Sequence, residues 1–207
     1  MRMIIMTESS KFGGRCVAGI NIENGEWVRL VTDDADTHGA VSPSNLMTAD
    51  NKMCRILDVV DVPIIKKCGN SIQPENVLMD TSKHITKVRK ASIKEVLQIH
   101  PAEQHTYVLG NPYSFLSEQM VHNVGHSLTL VDVDDLVINQ VTTPEGKNKT
   151  KASFKYNGIE YNQVSVTDPT LYSSEDGTEI GKAILVVSIG TPYNSKYYKF
   201  VSGVYIQ

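Results

Sequence analysis

The sequence predicts a mainly β protein: two small antiparallel barrels of the five-stranded Greek-key type, joined by a short helical segment. Three observations lead there. Apolar, β-branched stretches separated by turn signals fill both ends of the chain. The helical spacing falls in the middle. Strands and helices nowhere alternate, which argues against a doubly wound sheet. At 207 residues the chain accommodates two small domains or one large one. A single large antiparallel barrel or sandwich is the competing architecture. No repeat strong enough to prove duplication is visible in the sequence.

The elements follow in order. "MRMIIMT" is a first strand and "RCVAGINI" a second. "ENGEW" turns the chain into a third, "EWVRLV". Asn24-Gly25 is a two-residue hairpin signal, because both residues tolerate positive φ. In the third strand Trp27, Arg29 and Val31 share one face, and alternation puts Arg29 on the accessible side. Residues 32–55 are polar and broken, a long loop with one short helix after Ser42-Pro43. "ILDVVDVPII" is a strand, with an edge or a bend at Pro63. "CGNSIQPENVLMD" is a turn-rich excursion. "ASIKEVLQIH" is the clearest helix: Ser92 and Glu95 form a capping box, and Ile93, Val96 and Leu97 share a face. A second helix covers part of "YSFLSEQMVHN". From Ser127 onward "SLTLVDVDDLVINQV", "KASFKYNGIEYNQVSVT", "KAILVVSIG" and "YYKFVSGVYI" are strands, with a hairpin turn at Asn157-Gly158. The predicted organisation is a first barrel at 1–90, a helical connector at 91–126 and a second barrel at 127–207.

Composition narrows the function classes. The net charge of −3 excludes a protein coated in positive charge and leaves room for a local basic patch. No apolar run approaches the roughly 18 residues of a membrane span, and the opening apolar run is too short for a secretory core. A cytoplasmic location is expected. Cys16, Cys54 and Cys68 form no C-x-x-C pair, so neither a disulfide framework nor a zinc ribbon is expected.

No complete catalytic constellation is present. Gly13 and Gly14, with Lys11 and Arg15 beside them, offer either a small anion-binding concavity or a tight turn. No Walker loop or G-x-G-x-x-G is present. Cys16 reads as a small buried residue, since no base stands near it in sequence. Asp132 and Asp134 share a strand face, with Asp168 a distant partner; surface charge explains them better than a metal. His122 and His126 are four apart, but Gly125 interrupts the helical spacing. Neither a metal nor a cofactor is expected.

Several stretches together resemble the dual OB-fold domain family of prokaryotic proteins: "SSKFGGRCVAGI", "EWVRLV", "LDVVDVPI", "QPENVLMD", "SLTLVDVDDL", "SFKYNGIEYNQVSVTDP" and "LVVSIGTPYNSKYYKFVSGV". The resemblance implies two OB-like barrels and a role in nucleic-acid binding, often in genome defence. It brings no catalytic site. One departure stands at the end: where a cysteine-containing "YCYKLVAAV" is expected, Tyr197-Tyr198-Lys199-Phe200 occurs.

The residues suited to nucleic acid are cations beside aromatics, which pair phosphates and stack bases. Lys11, Arg15, Trp27 and Arg29 supply them in the first half. Lys149 and Lys151, followed by Tyr156, supply them in the lysine-rich strand; Tyr193, Lys196 and Tyr198 do so near the end. Trp27 is alternatively a core residue, and the lysines alternatively guard a sheet edge. The expected partner is single-stranded DNA or RNA. A nucleotide sensor or nucleotide-processing enzyme, with a site between the barrels, is the alternative.

Overall fold

The computed structural model describes residues 1–11 and 13–206, apart from the Lys11 side chain. The chain divides into two compact units, Met1–Pro101 and Ala102–Gln207. The helical stretch contributes one helix to each.

Unit 1 runs β1 (Arg2–Lys11), β2 (Gly14–Asn21), β3 (Trp27–Val31), a 3-10 turn (Pro43–Leu46), β4 (Asp58–Asp61), β5 (Ile64–Lys67), β6 (Asn76–Met79), β7 (Thr86–Lys90) and α1 (Ile93–Ile99). The sheet order is β5-β6-β3-β2-β1-β4-β7. All pairs are antiparallel except β3 with β6. β4 bonds β1, and β5 bonds β6. Only Val62 and Pro63 separate them, and bonding continues through the break. The Met1 amine donates to Val62 O at 2.9 Å, and Asp80 N to Pro63 O at 2.9 Å. Residues 58–67 are therefore one strand bent at a proline, which cannot donate to a ladder. That bent strand completes a five-membered ring: first, second, third, fifth, fourth and back to the first.

Met3, Ile5, Val17, Val28, Leu30, Val60 and Met79 fill the ring. The 32–55 segment is more than a surface insertion, because its Val41, Leu46 and Cys54 enter the same core. Ser42 caps the 3-10 turn by accepting from Asn45 N at 3.3 Å. The two adjacent glycines solve two problems. Gly13 takes a left-handed φ of +80°. At Gly14 a Cβ would lie 2.9 Å from Ala40 Cβ and Val41 O, where Arg15 and Val41 exchange backbone bonds.

Unit 2 runs β8 (Phe115–Ser117), α2 (Glu118–Val124), β9 (Leu128–Thr142), β10 (Asn148–Tyr156), β11 (Ile159–Val166), a 3-10 turn (Pro169–Leu171), β12 (Thr178–Ile189) and β13 (Lys196–Ile206). The ladder β11-β10-β9-β12-β13 closes through a parallel β11–β13 pair. The strand order equals that of unit 1, here with an unbroken fourth strand. β9 is 15 residues long and bends where Asp135 takes a φ of +53°, so it serves both β10 and β12.

Local signals and outcomes agree at one turn and differ at three other places. Asn157-Gly158, with φ of +49° and +74°, forms the two-residue turn, and Tyr156 faces Ile159. The Asn24-Gly25 hairpin instead spans Asn21 to Trp27, and only Gly25 has positive φ. Asn21 and Asn24 side chains accept backbone N–H groups within it and hold the longer loop. The excursion after Cys68 contains a strand, β6, whose parallel partner β3 lies far away in sequence. "YSFLSEQMVHN" opens with a strand, β8, before α2 begins at its Ser117 cap.

Candidate nucleic-acid interface

The most open aromatic surface of unit 2 is built on β8 and the start of β13. Their register sets Tyr198 opposite Phe115, and side chains directly opposite share a face. The Phe115 and Tyr198 ring centroids are 6.0 Å apart, and Tyr113 stacks on Phe115 at 6.4 Å. Tyr113 is 64% exposed and Tyr193 68%. The Lys196 ammonium sits 4.2 Å from the Phe115 centroid, a cation–π contact. Asn194 and Ser195 both take positive φ in the turn before β13. Tyr193 and Lys196 exchange backbone bonds across it, so both stand at its base. Sequence reasoning selected Tyr193, Lys196 and Tyr198 here and missed Tyr113 and Phe115. Their spacing of two in "PYSF" was the available signal, since it places both rings on one face of an extended chain.

The second element is the outer face of β10. Lys149, Lys151 and Lys155 alternate along it as the strand period requires. Lys149 is exposed and lines a cavity of about 400 Å³ with Gln140, Thr150, Ser165 and Tyr172. Lys151 is half-buried and donates to Ser165 Oγ at 2.8 Å; burial, then its neighbour Lys149, pull its pKa down. Lys155 pairs with Asp135 at 3.0 Å.

The structure takes other sequence candidates away from solvent. Tyr156 is 2% exposed and serves no ligand face. Its hydroxyl donates to Glu103 O at 3.1 Å and accepts from His105 N at 2.7 Å. Tyr161 likewise accepts from Val108 N at 2.9 Å and donates to Asn111 O at 3.2 Å. Lys199, 1% exposed, donates to Val108 O and Asn111 O at 2.6 Å each and to Asn111 Oδ1 at 2.8 Å. Burial pushes its amine down to about 7. These three barrel side chains tie down the irregular segment 103–111.

In unit 1 the expectation of an accessible Arg29 is overturned. The residue is 5% exposed. It bonds Cys16 Sγ at 3.5 Å and Glu75 at 3.3 Å; Glu75 lies 46 residues away, where strand alternation cannot reveal it. Trp27 is half-buried, edge-on to His100 at 5.4 Å. Arg15 bonds Ser10 and lies 3.7 Å from Glu8; the Lys11 side chain lies outside the described residues. Ile4, Ala18, Ile20 and Val59, outside the core cluster that fills the ring, are buried as well, so the middle of β1, β2 and β4 is buried on both faces. The basic run of β7 is neutralised locally: Lys87 and Lys90 meet the buried Asp58, and Arg89 meets Glu95. Asp168 is a turn residue, accepting from Thr170 N at 3.0 Å.

Comparison with known proteins places the dual OB-containing domain over residues 1–204. No curated protein and no solved structure matches the chain. No helix among the described residues is long and apolar enough to cross a membrane.

Proposed function

The chain belongs to the dual OB-containing domain family, and from that premise we propose that unit 2 binds single-stranded nucleic acid. OB folds commonly bind oligonucleotides through the face of the second and third strands and the loops after the first and fourth. In unit 2 those are β10, β11, the turn before β10 and the turn carrying Tyr193. One observation supports the reading above the others. Tyr113, Phe115 and Tyr198 form a continuous run of rings with Lys196 over it, the equipment for stacking bases beside a phosphate. Lys149 and Lys151 add charge on β10. Unit 1, which ends at Pro101, acts as scaffold. The genome-defence setting that the family resemblance implies, and the cytoplasmic location expected from the apolar runs of the sequence, belong to the same proposal.

Fluorescence anisotropy with labelled single strands of roughly 12 nucleotides tests this. Tyr113→Ala and Lys196→Ala should each weaken binding about tenfold. Three lysine contacts predict a salt slope of about −2. No binding at low salt overturns the proposal. The cavity beside Lys149 favours a second reading, a mononucleotide site. Saturable stabilisation by mononucleotides that survives high salt and disappears in Lys149→Ala would replace the first reading with it.

A further inference from the structure

The segment 103–111, stapled to the barrel by Tyr156, Tyr161 and Lys199, presents two potential metal ligands whose role the nucleic-acid reading does not use. Glu103, His105 and His126 bring a carboxylate oxygen and two ring nitrogens within 4.8 Å of one another. We propose that these three residues bind a divalent transition metal, with zinc as the reference ion, and leave one coordination position for water or an oxyanion.

The geometry is close to what such an ion needs. Ligand atoms tetrahedrally arranged at 2.0–2.2 Å from zinc stand about 3.4 Å apart. Glu103 Oε2 and His105 Nε2 are already 2.8 Å apart, sharing a proton that a metal would displace. The His105 and His126 rings stack at a centroid distance of 5.4 Å. His126 Nε2 is shielded from solvent and has no hydrogen-bond partner among the described residues. A buried, unpartnered imidazole nitrogen costs free energy, and a metal ligand role removes that cost.

The surrounding contacts are those that orient ligands. Thr129 Oγ1 donates to Glu103 Oε2 at 2.8 Å, and Leu130 N to Glu103 Oε1 at 3.3 Å. The Tyr156 hydroxyl bonds the backbones of both Glu103 and His105, and Asn157 Nδ2 donates to His105 O at 2.6 Å. A cavity of about 380 Å³ opens beside the two histidines, lined also by Tyr107 and Asn123. Two histidines, one carboxylate and a position facing a cavity form the ligand pattern of zinc sites that hold an exchangeable fourth ligand. The pairing is His126 with His105 across the unit, not with His122: Gly125 at φ +74° ends α2 between His122 and His126.

The test uses the full chain without a histidine tag, stripped of metal and titrated with Co²⁺ and then Zn²⁺. The expected result is one Co²⁺ per chain with visible ligand-field absorption, displaced by Zn²⁺ at one equivalent. His105→Ala and His126→Ala should each weaken binding at least tenfold, and Thr129→Val about tenfold through Glu103. The exposed His84→Ala should not change it. Circular dichroism reports folding, with His126→Gln standing in if the alanine variant unfolds. No uptake at one equivalent, or uptake unchanged in folded variants of both histidines, overturns the proposal.

Discussion

The two units carry the same five-strand ring, closed in different ways and used differently. In unit 1 the fourth strand breaks at Pro63, and the chain itself joins the two halves. In unit 2 it is a single 12-residue strand, β12. In unit 1 the outward Ala18 and Ile20 of the second strand are buried, and the cation of the third strand is paired with Glu75. In unit 2 the outward face of β10 carries lysines, and rings stand exposed beside β13. Strand order alone therefore does not make a binding surface. What distinguishes the second strands is that the outward Ala18 and Ile20 of β2 are apolar and buried, whereas those of β10 are lysines.

The sharpest way to break this contrast is Arg29→Ala. It leaves Glu75 buried without its cation, and the expected loss is about 3–5 kcal/mol. Trp27, the single tryptophan, reports unit 1 unfolding in urea. Affinity of the folded protein for single strands should stay unchanged; a proportional loss would place the interface in unit 1 as well.

Lys199→Met is the counterpart in unit 2, stranding three acceptors at an expected cost of about 1–3 kcal/mol. It has a pH signature. The buried amine lies near 7 in the folded chain and at its ordinary 10.5 when unfolded. Between these values the unfolded chain holds the extra proton, so wild-type stability rises with pH from about 7 toward 10. Below pH 7 this contribution is flat. The methionine variant should lose the rise; a retained slope would assign it to other groups.

The smallest effect belongs to Pro63→Ala. The corner needs no N–H there, so the expected change is under about 1 kcal/mol. A larger loss would mean that the fixed φ of proline holds the unit 1 ring closed.

Much of the strand content was legible, because period-two patterning is local. So were Asn157-Gly158, the Ser92 cap and the bend at Pro63, each decided within a few residues. β6 was not legible. Its four residues lie between turn signals, and its strand character comes from a parallel partner in β3. Arg29 and Tyr156 were assigned to solvent for the same reason: Glu75 in one case and the 103–105 backbone in the other lie about 50 residues away. The aromatic run was half legible. Tyr193, Lys196 and Tyr198 are neighbours in sequence, whereas Tyr113 and Phe115 join them only through the β8–β13 pairing.

By itself the sequence determined the mainly β class, the two-barrel organisation and the family, since these follow from the alternation, turn chemistry and motif order of short stretches. Tertiary structure alone decided which cations are buried, which rings are exposed, and that Glu103, His105 and His126 meet. The physical reason is that burial and pairing depend on what the folded chain brings from far away. An identical strand order yields a buried outward face on the second strand of one unit and a lysine-lined one on the second strand of the other.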